Sequence, residues 1–489
     1  MSDPLVHARL EKIEALRAQG VDPFPARVPP REPIDDVLRR YGALAAEEHS
    51  GDRVAVAGRL IARRQMGKAS FLDLRDGSGR IQIHAAADRL PEDAYRSICD
   101  ADVGDFLHVA GEVFRTKRGE LTVAAESWTF LSKAIRPLPE KWHGLKDVEL
   151  RHRHRSLDLI SNDESRDVVT RRARMLSLVR RALDERGFVE VETPILQPIP
   201  GGASARPFVT HHNVLDADLY LRIALELYLK RVLIGGIDRV YEISKCFRNE
   251  GISTEHNPEF TMLELYQAYA DYTDMMSLVE DLIGTLVREI VGSTVIEYQG
   301  QRLDFAPPWR RVGMLEAIAE ATGIDLSDRD PAGIHRRALA KGIELPEGAF
   351  SKLIDELFDR FVEPGLVQPT FIVDYPVEIS PLAKRKPGDE GLTERFELFV
   401  VGMEIANAFS ELNDPVDQRK RFEEQERLRA GGDEEAQRID EDFLFAMEHG
   451  MPPTGGMGVG LDRLAMLLSN SASIRDVILF PALRRKDEA

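Results

Sequence analysis

Between Asp52 and Ser132 the chain breaks into short runs in which apolar and polar residues alternate. This period of two most constrains the fold, because it demands strands with one buried face. The runs are Val54-Ala-Val-Ala-Gly-Arg-Leu-Ile61, Ala69-Ser-Phe-Leu-Asp-Leu-Arg75, Arg80-Ile-Gln-Ile-His84, Asp105-Phe-Leu-His-Val-Ala-Gly-Glu-Val-Phe114 and Leu121-Thr-Val-Ala-Ala125. The turns Asp76-Gly-Ser-Gly79 and Lys117-Arg-Gly-Glu120 separate two pairs of them. Five short strands, with a helix between the third and fourth, predict a small Greek-key barrel of the OB type. Such barrels stack single-stranded bases on surface aromatics. Phe71, Gln82 and Glu120 are the candidates for that surface.

The flanks read differently. Leu5, Leu10, Ile13 and Leu16 recur at helical spacing, and Gly20 and Pro23 end a helix over 4–20. Arg9, Lys12 and Arg17 on it either meet phosphate or form a solvated face. Five prolines in 21–33 mark a linker. Residues 133–165 are charged and proline-containing, and include Arg151-His-Arg-His-Arg155. That segment is an interdomain connector or a basic patch near RNA. From residue 166 long amphipathic helices alternate with strands. A helix is expected over 167–186, strands over 188–192, 239–248 and 259–268, and a strand segment over 396–412. Residues 309–376 suggest an inserted helical subdomain, Lys384–Glu390 a mobile loop, and 455–468 a glycine-rich lead into an apolar helix.

At 489 residues the chain needs two or three domains. No apolar run is long enough for a membrane span, and the N-terminus has no secretory h-region. Cys99 and Cys246 are far apart and lack metal-ligand spacing, which fits a reducing cytoplasm. The net charge of −18 argues against nucleic acid only until it is divided. Residues 1–150 hold 23 basic and 24 acidic side chains, and the remainder 42 and 59. The N-terminal module is nearly neutral, so total charge decides nothing about RNA.

The chain has no GxxxxGK[ST] loop and no strand-GxGxxG-helix, so any use of ATP needs another device. Phe247-Arg-Asn-Glu250 followed by His256-Asn-Pro-Glu-Phe260 offers one. An arginine at a strand end pairs with an α-phosphate and an incoming carboxylate, a loop histidine reaches terminal phosphates, and Phe260 stacks under a purine. Arg463 begins the glycine-rich helix, where guanidinium and backbone N–H groups favour phosphate. Positive charge and positioning are what in-line displacement at phosphorus requires.

Three segments carry a family resemblance. Gly187-Phe-Val-Glu-Val-Glu-Thr-Pro194, Phe247–Phe260 and Gly458-Val-Gly-Leu-Asp-Arg463 resemble, in order and spacing, motifs 1, 2 and 3 of class II aminoacyl-tRNA synthetases. Arg222-Ile-Ala-Leu-Glu-Leu-Tyr-Leu-Lys-Arg231, Thr261-Met-Leu-Glu-Leu-Tyr266 and Glu404-Ile-Ala-Asn-Ala-Phe-Ser-Glu-Leu-Asn-Asp414 look like the lysine branch, the lysyl-tRNA synthetases. The resemblance spans essentially the whole chain. It implies an α+β protein: an N-terminal OB-fold barrel joined to a class II catalytic domain built on an antiparallel sheet flanked by helices. It implies activation of L-lysine with ATP and Mg²⁺, transfer to tRNA(Lys), and a cytoplasmic homodimer through motif 1. The expected divisions are a helix and linker over 1–50, the barrel over 51–135, a connector over 136–165 and the catalytic domain over 166–489.

Residue roles follow from the resemblance. Arg248 and Arg463 would be catalytic. Arg248, Glu250, His256, Asn257, Phe260, Glu404 and Arg463 would hold ATP. Gly202, Glu226, Glu264, Tyr266, Asn407, Phe409 and Glu411 would hold lysine. Glu404 and Glu411, seven apart, would hold the metal, and Phe71, Gln82 and Glu120 the anticodon. Acidic pocket residues suit an ε-ammonium, which is costly to bury without carboxylate partners. The chain departs from the family at Leu225, often proline, and at Ala406 and Ala408, often glycine, where a positive φ would strain alanine. Glu255 adds negative charge beside His256. Two other readings are a ligase that attaches lysine to a protein and an inactive RNA-binding relative. The barrel opposes the first, and the retained Arg248, Glu250 and Arg463 oppose the second.

Overall fold

The computed structural model describes residues 3–138, 145–431 and 436–484. It forms two compact units divided between residues 144 and 145. Residues 139–144 of the expected connector lie outside the described residues.

The first unit runs α1 (Pro4–Ala18), α2 (Ile34–Tyr41), β1 (His49–Met66), β2 (Ala69–Arg75), β3 (Arg80–Ala86), α3 (Glu92–Cys99), β4 (Phe106–Arg115) and β5 (Leu121–Ser132). The strands close a barrel in the order β1-β2-β3-β5-β4, as the alternating runs predict. Alternate residues fill it, among them Val54, Val56, Leu72, Leu74, Ile81, Ile83, Val109 and Val123. Helix α2 was hidden by the prolines before it. It buries Ile34, Val37 and Tyr41 in the barrel core, so residues 34–41 are not linker. Two of the basic residues of α1 are committed to structure, while Arg17 stays on a solvated face beside Glu14. Arg9 donates to the carbonyls of Val103, Ala134 and Arg136, and Lys12 pairs with Asp100 and Asp102.

The second unit opens with α4 (Val148–Arg153), α5 (Arg155–Ser161) and α6 (Asp163–Asp184). Here Arg151-His-Arg-His-Arg155 is no RNA-facing patch. Arg151 and Arg155 pair with the buried Asp158, His152 meets Asp476, and Arg155 donates to the carbonyls of Arg475, Ile478 and Leu479. The chain continues through β6 (Val189–Glu190), β7 (Leu196–Gln197), β8 (Val209–His212), β9 (Ala217–Leu221), α7 (Glu226–Ile234), β10 (Arg239–Phe247), β11 (Glu259–Ala268) and α8 (Tyr272–Val291). A hairpin, β12 (Val295–Tyr298) and β13 (Gln301–Asp304), leads to β14 (Arg310–Gly313). Helices α9 (Met314–Thr322), α10 (Pro331–Ala340) and α11 (Phe350–Phe361) precede β15 (Thr370–Val373). Then come β16 (Arg385–Lys386), β17 (Asp389–Thr393), β18 (Arg395–Val400), β19 (Met403–Ser410), α12 (Pro415–Ala430), α13 (Glu441–Glu448), β20 (Thr454–Gly460), α14 (Leu461–Ser469) and α15 (Ile474–Val477).

Eight strands form one sheet in the order β14-β15-β18-β19-β20-β11-β10-β6. The six central strands pair antiparallel, and β14 and β6 join the edges in parallel. The main core holds α6, α8 and α14 against one face, through Leu178, Leu183, Ile283, Leu286, Leu464 and Leu467. The presumed helical insertion is helical only in its middle, since its ends, β14 and β15, belong to the sheet. Strands of four residues carry too little alternation to be read from sequence. The helices between have a core of their own around Ile318, Leu353 and Leu357. The single strand expected over 396–412 is a hairpin, turned by Val401 (φ 54°) and Gly402 (φ 71°). Lys384–Glu390 falls largely within the β16–β17 hairpin.

Candidate active site

Parity on three central strands builds the floor of the site. On β11, Leu263 and Leu265 enter the core, so Met262, Glu264 and Tyr266 share the opposite face. On β20, Met457 and Val459 enter the core, and Gly456 and Gly458 face the cavity. The glycines of 455–460 therefore lie in a strand, where they make room. A Cβ at Gly456 would overlap the Glu411 carboxylate and the Tyr266 ring. On β19, Asn407 and Phe409 face the cavity, but Glu404 has the wrong parity to join them. A register shift against β18 corrects it: Leu398 pairs with Ala406 and Phe399 with Glu404. The bulge puts Ile405 and Ala406 both into the core and brings Glu404 onto the face of Asn407.

Two adjoining cavities lie on this face and share Arg248, Met262, Glu404, Asn407 and Gly458. One gathers Arg248, Glu250, His256, Asn257, Phe260, Glu404 and Arg463, the residues expected at ATP. The other gathers Gly202, Glu226, Glu264, Tyr266, Asn407, Phe409 and Glu411, those expected at lysine.

The second cavity is a buried acidic pocket. Glu226, Glu264 and Glu411 are 6%, 4% and 1% exposed. Glu264 accepts from Tyr266 Oη at 3.1 Å and from the backbone N–H of Leu225 at 3.1 Å. Burial, with the charge of Glu226, pushes its pKa up to about 7 against those two hydrogen bonds. Gly202 has φ +86°, and a Cβ there would stand 3.0 Å from Glu226 Cβ, so both conformation and space require glycine. The sequence reading missed Lys230, which is fully buried and pairs with Glu226 at 2.5 Å and with Glu411. Burial disfavours its ammonium, and the two carboxylates outweigh that, so its pKa lies above the ordinary value.

In the first cavity Arg248 Nε is buried and has no hydrogen-bond partner among the described residues. Its guanidinium lies 5.1 Å from the centre of the Phe260 ring. Arg463 donates to the Glu404 carbonyl at 2.8 Å, and its Nη2 lies 3.2 Å from His256 Nε2. Burial and Arg463 push the His256 pKa down, outweighing Glu255, so the imidazole is neutral at pH 7. Ser253 orders this loop by accepting from the backbone N–H groups of Glu255 and His256. Asn257 lines the cavity with its amide already engaged, donating to the Glu259 carbonyl and accepting from the Ala482 N–H. Glu250 is exposed at the rim.

The expected metal pair, Glu404 and Glu411, lines one and the same cavity. Glu411 faces Lys230, Glu226 and Glu264. Glu397, partly buried and seven residues before Glu404 on the facing strand, lines the same cavity and feels the charge of Glu404. Burial and Glu404 push the Glu397 pKa up to about 7 despite Arg395 and Tyr375. Tyr375 donates to Glu397 at 2.8 Å and Arg395 at 2.6 Å, while Asn407 bridges Arg395 and Glu397. Arg395 and Glu397 were also missed, because only the hairpin register sets them beside Phe409 and Asn407. Ala406 and Ala408 have ordinary negative φ and pack in the core, so alanine is unstrained there. Leu225 supplies Glu264 with a hydrogen bond that a proline nitrogen cannot make.

On the barrel, Phe71 is half-buried and packs on His84, which contacts Phe114, which stacks on His49. Gln82 is 8% exposed and accepts from Thr122 Oγ1 at 3.0 Å, which orients its amide. Glu120 is exposed and lies 3.3 Å from Arg80.

Comparison with known proteins agrees with both units. Residues 147–484 match the model of the class II tRNA synthetases (D, K and N), and residues 54–131 that of the OB-fold nucleic acid binding domain. The lysine–tRNA ligase of Moorella thermoacetica is 55% identical over 99% of this chain and 98% of its own length. That of Roseiflexus castenholzii is 54% identical over 99% of both, and that of Bacillus subtilis 50% over 98% and 97%. The chain therefore belongs to the class II aminoacyl-tRNA synthetases, in the lysine–tRNA ligase family.

Proposed function

We propose that the chain activates L-lysine with ATP to lysyl-adenylate and pyrophosphate, then transfers the lysyl group to the 3′ end of tRNA(Lys). The observation that carries this reading is the acidic pocket, whose three buried carboxylates open onto the cavity of Arg248 and Arg463. Glu226 receives the α-ammonium, and Glu264, Tyr266 and Glu411 the ε-ammonium. Asn407 and Phe409 line the pocket. Arg248, with its free Nε, draws the lysine carboxylate to the α-phosphate. A carboxylate oxygen forms the new bond to phosphorus as the bond to pyrophosphate breaks. His256 and Arg463 hold the leaving phosphates, and Phe260 takes the adenine. The tRNA hydroxyl then attacks the mixed anhydride and AMP leaves, so no enzyme nucleophile is required.

Glu404 and Glu411 fit a magnesium ion, because both line one cavity and Glu411 Oε1 is a buried carboxylate oxygen without a hydrogen-bond partner among the described residues, which suits the ion's preference for few carboxylates, phosphate oxygens and water. When bound, the ion offsets charge on the phosphates. Phe71 stacks an anticodon base, and Gln82 and Glu120 hydrogen-bond at the same surface. A homodimer through motif 1 is supported by exposed apolar residues around it: Val189, Ile195, Leu196, Val209, Val214 and Leu215. The test is charging of purified tRNA(Lys) with labelled lysine. Acid-precipitable lysyl-tRNA that depends on both ATP and the barrel residues is the expected product. Equal charging by a Phe71→Ala, Gln82→Ala, Glu120→Ala variant would remove the anticodon assignment, and absence of charging would remove the function.

A further inference from the structure

Lys230 is a fully buried cation that the activation chemistry does not use. One helical turn after Glu226 on α7, it meets Oε1 of Glu226 at 2.5 Å and Oε2 of Glu411 at the end of β19. It therefore ties together the two carboxylates that receive opposite ends of the substrate. The centres of the Tyr266, Phe409 and Phe443 rings lie 6.0, 5.4 and 5.9 Å from its Nζ. Glu411 Oε1 is buried, lines the cavity and has no hydrogen-bond partner among the described residues. One oxygen of Glu411 is thus spent on Lys230 and the other is left for a ligand.

The charges point the same way. Glu226, Glu264 and Glu411, when ionised, carry three negative charges in one buried pocket. Lys230 offsets one, the two ammonium groups of lysine offset the other two, and the lysine carboxylate is offset by Arg248 on the same cavity wall. Without Lys230, Glu226 and Glu411 would repel across the pocket and stay over-charged after lysine entered. Two anions free to separate no longer define a length.

We propose that Lys230 is a positioning residue that fixes the spacing of Glu226 and Glu411, and thereby selects lysine over diamino acids with a shorter side chain. This rests on the reading of those two carboxylates as the ends of the lysine pocket. One missing methylene in a shaped pocket costs about 10- to 200-fold in specificity, and Lys230 holds the shape that exacts it.

The experiment is pyrophosphate exchange with lysine, with ornithine (one methylene shorter) and with varied ATP, on the full chain and on Lys230→Met and Lys230→Arg. Lys230→Met keeps the length of the side chain and removes the charge. It is expected to raise the lysine KM at least tenfold, to change the ATP KM less than twofold, and to lower the lysine-to-ornithine ratio of kcat/KM at least tenfold. Lys230→Arg keeps the charge and changes the spacing, and its ratio is expected to fall at least fivefold. If Lys230→Met does not fold, as judged by circular dichroism, Lys230→Arg carries the test alone. A ratio within twofold of wild type in the folded variants would overturn the inference. Glu226→Gln, run in parallel, separates the two readings. If it raises the lysine KM while the ratio in the Lys230 variants is unmoved, only the role of Lys230 is wrong. If it leaves the lysine KM unchanged, the pocket reading fails as well.

Discussion

Glu264 couples lysine binding to pH. In the empty pocket its pKa is pushed up to about 7 by burial and by Glu226. An ε-ammonium beside it needs the ionised form, so lysine binding releases a proton when the pH lies below that value. At pH 8 roughly nine tenths of Glu264 is ionised, and at pH 6 roughly one tenth. The lysine Kd should therefore rise about tenfold from pH 8 to pH 6. The direction follows from the sign of the shift. A carboxyl with a raised pKa is protonated in the free protein as pH falls through about 7, and affinity is lost with its charge. Replacing Glu264 by glutamine keeps shape and removes charge. A hydrogen bond to a charged group contributes about 1.5–3 kcal/mol, so Glu264→Gln should weaken lysine by about 10- to 150-fold at pH 8. The variant should also lose the part of the pH dependence that Glu264 carries, leaving only what Glu397 in the same cavity contributes, and its ATP KM should move less than twofold. Titration calorimetry with lysine at pH 6, 7 and 8 measures both effects. Buffers of different ionisation enthalpy count the released proton, about half of one at pH 7. A wild-type Kd flat across this range, or a slope undiminished in Glu264→Gln, would refute the assignment.

Three further outcomes are expected. Arg463→Ala should slow adenylate formation by about 10²–10³-fold or more while lysine binding by calorimetry stays near wild type, and single-turnover formation of lysyl-adenylate checks this. Glu404→Gln and Glu411→Gln should each raise the Mg²⁺ concentration for half-maximal exchange at least tenfold, and Glu411→Gln should also raise the lysine KM; an unchanged Mg²⁺ requirement in both variants would remove the metal assignment. Phe71→Ala should raise the KM for tRNA by the loss of one stacked base, about 1–3 kcal/mol, with lysine-dependent pyrophosphate exchange unchanged.

The barrel was legible because five alternating runs of five to ten residues, separated by turns, leave little ambiguity, and β1 to β5 close into the expected barrel. The pocket carboxylates were legible because Glu264 and Tyr266 keep one strand parity. Glu404 was harder. Its place beside Asn407 depends on a bulge between β18 and β19 that no period of two predicts. Glu397 lay in a run read as plain strand, and its tie to Glu404 exists only in the hairpin register. Lys230 stood beside Arg231 in a segment quoted only for its resemblance, where the ordinary expectation for a lysine is a solvated ammonium. Only the packing of Tyr266, Phe409 and Phe443 around it shows otherwise. The basic run 151–155 erred in the opposite direction, since charge suggested a surface and Asp158 and Asp476 draw its side chains into structure.

The central claim is that the buried carboxylates and Tyr266 make a lysine site opening onto an ATP site. Amino-acid-dependent exchange of labelled pyrophosphate into ATP, run with each of the twenty amino acids, tests it most directly. Exchange with lysine far above every other amino acid is the predicted result. No exchange with lysine by the folded protein, or equal exchange with another amino acid, would contradict it.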